Sequence, residues 1–166
     1  MNKNREFHTF RGYQLLMEEL KQITASMEDY LEMIYRLSKE GEYVRVNQLA
    51  DKLNVQAPSV TRVAQKLAGL GFLDYQKYGL IQLTEKGKSA GLFLLNRHQV
   101  IENFLRIIGV EEELILQDTE MIEHHLSLNT VHKIKQLYQF INENPAVLKK
   151  YRQYIDFEAK PESSPG

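Results

Sequence analysis

The chain has 166 residues, enough for one domain or two small domains that bury a core without disulfide bonds. With 43% hydrophobic and 26% charged residues, its composition argues against disorder of the whole chain. The absence of cysteine excludes a disulfide framework, a thiolate metal site and a cysteine nucleophile, and it agrees with a cytoplasmic location. The N-terminus lacks the apolar core of a secretory signal, and no apolar run approaches the ~18 residues of a membrane span, so we expect no membrane partner.

Charge is divided along the chain, although its net value is only −1. Residues 43–88 hold seven basic and three acidic side chains, whereas residues 99–130 hold seven acidic side chains and one base, Arg106. Because each surplus attracts the opposite charge, the pattern predicts a polyanion as partner of the first region and a cation as partner of the second.

Apolar residues recur at helical spacing in the first part of the chain. They predict a short leading helix within residues 13–23 and a second helix over 27–37, with Ser26 as its N-cap and Gly41 closing it. Residues 1–25 are therefore interpreted as a partly helical N-terminal extension.

The next elements follow the order of a winged helix-turn-helix. A helix over 46–53 and a short turn lead to another helix that has Pro58 in its first turn and ends near Gly69 or Gly71. Its predicted buried face consists of Val60, Val63, Ala64 and Leu67. Two short apolar segments on either side of Gly79 then predict a β-hairpin. This order, together with the positive surplus, is typical of a DNA-binding domain.

The second half of the chain is predicted to be entirely helical. A long helix starts after Thr84 as N-cap, runs to about Ile108 and stops at Gly109. Further helices are predicted over 111–126, 129–142 and 145–155.

The fold class is thus mainly α, in two parts. A winged helix-turn-helix DNA-binding domain over residues 26–90 precedes an all-helical domain over 91–156. Residues 157–166 are rich in Pro, Ser and Gly and are predicted to be a disordered tail.

One segment of the acidic region has the spacing of a metal site. Glu120, Glu123 and His124 stand at i, i+3 and i+4, so they project from one side of a helix. Carboxylates at this spacing repel each other, and a divalent cation would convert that repulsion into attraction. A solvated acidic face explains the segment equally well at this point.

Two other places hold side chains of the same chemistry. Asp29 and Glu32 share one face of the helix over 27–37, which is weak support when taken alone. His98 lies among apolar residues of the long helix, where a hydrogen-bonded core histidine is the more common interpretation.

Several separated strings stand in a characteristic order within residues 26–142. They are SMEDYLEMIYRL, VTRVAQKL, GLIQLTEKGK, NRHQVIENFLRIIGV and IEHHLS. Together they resemble the diphtheria-toxin-repressor family of metal-dependent repressors, and most closely its manganese-transport-regulator branch.

The resemblance implies a set of metal ligands from three helices. The matching positions are Asp29, Glu32, His98, Glu120, Glu123 and His124. The family suggests two ions per subunit, bridged by Glu120 and Glu123. The aspartate at position 29 favours manganese, because the iron-responsive branch has a methionine there. His125 is not counted as a ligand.

The chemistry of the donors agrees with this resemblance. Carboxylates and imidazoles without thiolates suit Mn(II) or Fe(II), and Zn(II) is also expected to bind because Mn(II) lies at the weak end of the affinity order.

The DNA interface is predicted on the third helix and the hairpin. The candidate residues are Gln56, Ser59, Thr61, Arg62, Gln65, Lys66, Lys77 and Tyr78. Arg62 and Gln65 have the fork geometry to read base edges, whereas Lys77 and Tyr78 would touch the backbone. The alternatives are that Arg62 and Lys66 are merely solvated and that Tyr78 covers the wing.

These observations predict a homodimeric, non-enzymatic transcriptional repressor. It would bind double-stranded operator DNA when Mn(II) or Fe(II) is bound. The resemblance implies that residues 91–156 form the metal-binding and dimerisation domain and that the repressor controls metal uptake genes. The proposed dimer interface is apolar and includes Leu105, Ile107, Ile108, Leu114 and Ile115. Two alternatives stay open: a metalloenzyme that uses the same carboxylate and histidine cluster, and a winged-helix repressor with a non-metal effector.

Overall fold

The computed structural model describes residues 10–158. Residues 1–9 of the predicted extension and 159–166 of the predicted tail lie outside the described residues. The chain divides into two compact units, Met1–Asn96 and Arg97–Gly166. None of the helices within the described range has the length and apolar character needed to cross a bilayer.

The first unit contains five helices, counting the start of the longest, and a small sheet. The elements are α1 (Phe10–Leu20), α2 (Ala25–Leu37), β1 (Val44–Arg45), α3 (Val46–Leu53), α4 (Ala57–Gly69), β2 (Leu73–Gln76), a 3₁₀ turn (Lys77–Gly79), β3 (Leu80–Leu83) and α5 (Glu85–Ile108), which continues into the second unit.

The start of α2 differs from the prediction. Thr24, and not Ser26, is the N-cap: its backbone is extended and its Oγ1 accepts a hydrogen bond of 3.3 Å from the Met27 N–H. Ser26 already lies inside the helix. The far end also differs, because α2 stops at Leu37 with Ser38 as its C-cap, before it reaches Gly41.

The sheet and the helices of the first unit enclose one apolar core. The strand order is β1-β3-β2 with antiparallel pairing, and Ile81 of β3 lies opposite both Val44 and Tyr75. Fully buried side chains of this unit include Leu31, Ile34, Leu49, Val60, Leu67, Phe72, Ile81 and Leu94. Val63, predicted to be buried, is only half-buried on α4.

The base of the hairpin is fixed to the start of α5. Thr84 caps the helix as predicted, since its Oγ1 accepts from the Gly87 N–H at 3.0 Å. The same hydroxyl lies 2.7 Å from the Gly71 carbonyl oxygen and 3.0 Å from that of Phe72. A Cβ at position 87 would stand 1.9 Å from the Phe72 oxygen, so only glycine permits this approach.

The tip of the hairpin adopts an uncommon backbone conformation. Tyr78 and Gly79 both have positive φ, 67° and 72°, which is the left-handed region. This turn presents the Tyr78 side chain with 96% of its surface exposed.

The second unit consists of the remainder of α5 together with α6 (Glu112–Glu123), α7 (Leu128–Glu143) and α8 (Pro145–Glu158). Gly109, at φ 92°, follows the last residue of α5 as predicted. Helix α6 ends at Glu123 with His124 as its C-cap, three residues before the predicted end. Ser127 caps α7 by accepting a 3.2 Å bond from the Thr130 N–H.

The core of the second unit corrects part of the predicted dimer interface. Leu105 and Ile115 are buried together with Ile101, and Ile108 packs against them. Two of the five residues proposed for the interface are therefore internal, because the helices of the unit cover them. Leu114 remains 44% exposed.

Candidate metal centre and DNA interface

Two helices of the second unit carry buried or half-buried side chains that could ligate a metal. His98 lies near the start of the unit on α5, and Glu123 and His124 lie at the end of α6. His98 is 8% exposed and Glu123 is 2% exposed. Burial of a carboxylate requires a compensating positive charge or hydrogen bonds, so the surroundings of Glu123 decide what this cluster can do.

Glu123 and His98 form a direct pair. His98 Nδ1 lies 3.4 Å from Glu123 Oε1 and 3.3 Å from Oε2. A carboxylate only accepts hydrogen bonds, so Nδ1 carries the hydrogen in this pair and Nε2 of a neutral ring keeps its lone pair. That arrangement orients an imidazole to ligate a metal through Nε2.

The hydrogen bonding of Glu123 Oε2 is unusual for a buried carboxylate oxygen. Within residues 10–158, Oε2 of Glu123 is a buried oxygen without a hydrogen bond, and so is Oγ1 of Thr119, four residues earlier on α6. A buried carboxylate oxygen without a hydrogen-bond donor destabilises the fold. A divalent cation would satisfy this oxygen, so the residues of the cluster fit a metal ion.

Arg97 also lies beside this cluster, and it was not among the residues predicted from the sequence. Its side chain is 4% exposed, its Nε lies 4.0 Å from Glu123 Oε2 and its Nη2 lies 3.2 Å from His124 Nδ1. A signal is present in the sequence, because apolar residues such as Leu94 and Ile101 flank Arg97 at helical spacing. A basic side chain that is buried in such a stretch usually has a charged or polar partner.

The other predicted ligands, on α6 and α2, differ from one another in exposure and in hydrogen bonding. Glu120 is exposed, and across the described part of the chain it joins no cluster of three donor atoms suited to a metal. In the first unit, Asp29 is exposed on α2, whereas Glu32 is buried and its Oε1 accepts two hydrogen bonds from Arg36, at 2.9 Å from Nε and 2.6 Å from Nη2. His125 is exposed.

The acidic surplus of the second unit is partly neutralised at the junction of α5 and α6. Arg106 donates to Glu112 at 3.0 and 2.8 Å and lies 3.5 Å from Glu102. The hydrogen bond from Arg106 lowers the pKa of Glu112, and in return the bond to Glu112 raises the pKa of Arg106.

The predicted DNA-binding side chains form an accessible surface of the first unit. On α4, Arg62, Gln65 and Lys66 are exposed, and Gln56 is exposed at the N-cap. Ser59 and Thr61 are half-buried. At the hairpin tip, Lys77 and Tyr78 are both exposed, so the structure does not have Tyr78 covering the wing.

One of the seven basic side chains of residues 43–88, that of Lys86, makes contacts within the first unit. Lys86 donates to the Leu70 carbonyl oxygen at 3.0 Å, lies 4.3 Å above the Phe72 ring and stands 3.8 Å from Glu19 of α1. A count of charged residues in the sequence could not distinguish Lys86 from the exposed basic side chains of α4, Arg62 and Lys66.

Two family descriptions match the chain. "Iron dependent repressor, N-terminal DNA binding domain" matches residues 22–81, and "Iron dependent repressor, metal binding and dimerisation domain" matches residues 84–152. Together they cover more than half of the sequence.

Curated relatives and solved structures agree with these matches. The "HTH-type transcriptional regulator MntR" of Lysinibacillus sphaericus is 48% identical over 76% of this chain and 91% of its own length, and that of Bacillus subtilis is 50% identical over 74% and 87%. A solved structure described as "Manganese-dependent transcriptional repressor complex with manganese" has a TM-score of 0.61 and 28% identity, over 69% of this chain and 53% of that one.

A winged helix-turn-helix followed by a helical metal-binding and dimerisation domain defines a metal-dependent transcriptional repressor. The chain belongs to the iron-dependent repressor family, that of the diphtheria-toxin repressor, and to its manganese-transport-regulator branch. The predicted family, fold class and repressor function are confirmed, and the relatives are regulators of transcription rather than enzymes.

Proposed function

We propose that the protein is a manganese-responsive repressor that acts in the cytoplasm as a homodimer. It binds operator DNA when Mn(II) or Fe(II) occupies its metal centre, and it controls genes of metal uptake. The observation that carries this proposal is the buried Glu123 carboxylate: Oε2 has no hydrogen bond within residues 10–158, and His98 Nδ1 lies 3.3 Å from it.

The proposed ligand set includes residues of both units. The six residues are Asp29, Glu32, His98, Glu120, Glu123 and His124. Their support is the match of residue types to the manganese branch and the donor chemistry of four carboxylates and two imidazoles, which suits hard to borderline ions. A second ion, bridged by Glu120 and Glu123, would bring the formal charge of carboxylates and ions to zero.

Manganese is the preferred ion for two reasons. Among residues 10–158 there is no soft thiolate donor, and the chain contains no cysteine at all. The relatives carry the name MntR, and the structurally similar repressor is described as a complex with manganese. Zn(II) should also bind, since selectivity within such a donor set depends on geometry and metal availability.

The domains divide the work of the proposed repressor. Within the winged helix-turn-helix, about residues 26–90, Arg62 and Gln65 contact base edges, while Gln56, Ser59, Thr61 and Lys66 contact phosphates. Lys77 and Tyr78 of the hairpin contact the sugar-phosphate backbone. The helical part, about residues 91–156, pairs two subunits so that two α4 helices engage two half-sites.

The proposed ligand set explains how metal binding is coupled to DNA binding. A bound ion supplies positive charge that holds carboxylates from α2 and α6 together. Through these side chains the α4 helices of the dimer are held at one spacing, and the affinity for operator DNA rises. Linkage requires that operator DNA raises the metal affinity by the same factor.

A DNA-binding experiment tests the proposal. DNA bound by the Mn(II)-loaded protein would be selected from a random duplex pool, and its affinity measured by gel shift with Mn(II) and with EDTA. We expect binding to be at least about tenfold tighter with Mn(II). Equal affinity in both conditions would contradict metal sensing.

A diffraction experiment tests the ligand set separately. Anomalous peaks from crystals grown with Mn(II) should lie within coordination distance of the six residues. A peak ligated by His98 and Glu123 but distant from Glu120 would remove the bridging role while keeping the site.

A further inference from the structure

We propose that Arg97 is an internal counter-ion of the metal centre, which competes with the metal for His124 and Glu123 and thereby sets the affinity for Mn(II). This inference rests on the proposed function, because it concerns the same site. It adds a residue that determines at which metal concentration the repressor responds.

The first argument is position. Arg97 precedes His98 on α5 and is almost fully buried, and a guanidinium retains its charge in such surroundings. Its Nη2 is 3.2 Å from His124 Nδ1, and its Nε is 4.0 Å from Glu123 Oε2. A permanent positive charge therefore lies beside two of the proposed ligands.

The second argument is the hydrogen on the His124 ring. A guanidinium can only donate, so Nδ1 of His124 accepts the bond from Arg97 and the hydrogen of the neutral ring is on Nε2. The lone pair of Nδ1 is then occupied by Arg97, and Nε2 has no lone pair to offer.

Metal ligation by His124 and its bond to Arg97 consequently exclude each other. Ligation through Nδ1 displaces the guanidinium directly. Ligation through Nε2 moves the hydrogen to Nδ1, where it would face a donor of Arg97. In both cases the bond between Arg97 and His124 breaks when the ion binds.

The third argument is electrostatic. In the absence of an ion, the guanidinium offsets the buried negative charge of Glu123. When an ion is bound, the same guanidinium stands close to a second positive charge and repels it. Removal of the Arg97 charge eliminates this repulsion and leaves Glu123 without its counter-ion, so both effects strengthen metal binding.

The test compares Arg97→Met with three other proteins in a Mn(II) titration followed by electron paramagnetic resonance of the free ion. We expect Arg97→Met to bind Mn(II) about 10- to 100-fold more tightly than the wild type. Arg97→Lys, which keeps the charge, should stay closer to the wild type. Arg106→Met removes the same charge from an exposed site on the same helix and should leave the affinity unchanged.

Thermal unfolding provides a second measurement that does not depend on DNA binding. Without metal, Arg97→Met should melt at a lower temperature than the wild type, because a buried carboxylate has lost its counter-ion. Saturating Mn(II) should raise the melting temperature of the variant more than that of the wild type, since tighter binding to the native state stabilises it more.

The outcomes separate this inference from the proposed function. If the wild type binds Mn(II) but Arg97→Met binds it equally or more weakly, the counter-ion role is wrong and the sensor stands. If the wild type does not bind Mn(II), the proposed function and this inference both fail. Should Arg97→Met not fold without metal, Arg97→Gln keeps a donor for His124 without the charge, and the same tightening is expected.

Discussion

The hydroxyl groups of two threonines illustrate how differently the units use their polar side chains. In the first unit, Thr84 Oγ1 lies 2.7 Å from the Gly71 oxygen and accepts from the Gly87 N–H at 3.0 Å. In the second unit, Thr119 is fully buried, and its Oγ1 has no hydrogen bond within the described residues. Oε2 of Glu123, four residues further on α6, is also buried without a hydrogen bond among these residues.

This difference corresponds to the two kinds of partner. DNA is a large polyanion that is bound by a surface, so the first unit can satisfy its internal polar groups and keep Arg62 and Gln65 exposed. A metal ion is bound by groups removed from water, and in the second unit the buried Glu123 Oε2 is an oxygen that a cation would satisfy. The first unit presents exposed side chains on its surface, whereas the second unit holds a buried group that is suited to a ligand.

The largest effect is expected from removal of the buried carboxylate. Glu123→Ala should weaken Mn(II) binding by on the order of 100-fold or more, since even partners outside the ligand shell change metal affinity by about 10- to 100-fold. Mn(II) titration and gel shifts measure this, and DNA binding should no longer respond to Mn(II). The control Glu113→Ala removes an exposed carboxylate of the same helix and should behave like the wild type.

A pair of isosteric substitutions compares the units directly by urea unfolding without metal. Thr84→Val should lower the free energy of unfolding by about 2 kcal/mol, because it removes the N-cap of α5 and leaves the Gly87 N–H without its acceptor. Thr119→Val should be neutral or stabilising by up to about 1 kcal/mol, since the methyl group replaces a buried hydroxyl that lacks a hydrogen bond. If both variants lost the same free energy of unfolding, the two hydroxyl groups would contribute equally to stability, and the difference between the units described here would be wrong.

Most of the fold could be predicted because its signals are local. Gly109 after α5, Thr84 before it and the hairpin around Gly79 all depend on residues close in sequence. The errors arose where two local signals compete. Thr24 and Ser26 are both suitable N-caps, and only the helix start selects between them. In addition, α6 ends at Glu123, earlier than its apolar periodicity indicated, and Ser127 is the N-cap of the next helix.

The candidate site could be predicted only in part, because residue types do not specify their partners. The family resemblance implied that His98 and Glu123 are metal ligands, and the structure places His98 Nδ1 3.3 Å from Glu123 Oε2. The sequence did not indicate that Arg97 would lie beside them, since contacts between α5 and α6 depend on packing. Nor did the spacing that groups Glu120 with Glu123 predict that one is exposed and the other buried.

A smaller effect, confined to DNA binding, is expected in the first unit. Arg62→Ala should lower the affinity for selected DNA about tenfold while Mn(II) binding stays as in the wild type, because one contact to base or phosphate contributes roughly 1–3 kcal/mol. The matched control is Arg152→Ala, an exposed arginine of the second unit. If both variants lose DNA affinity equally, the positive charge acts without the specific surface of α4.

The smallest effect concerns the exposed ion pair at the start of α6 and has a defined pH dependence. The hydrogen bond from Arg106 holds the pKa of Glu112 below its ordinary value of 4.5. A group whose pKa is lower in the folded state stabilises the fold above its unfolded pKa and loses this contribution as the pH falls through the folded pKa. The melting temperature of Glu112→Gln should therefore lie slightly below that of the wild type at pH 7, and the two should converge as the pH falls below 4.5 and through the lowered pKa of Glu112. Glu113→Gln removes the same charge one residue later on the helix and corrects for its interaction with the helix dipole. A difference between Glu112→Gln and the wild type that persists at low pH would show that the pair acts through packing and not through charge.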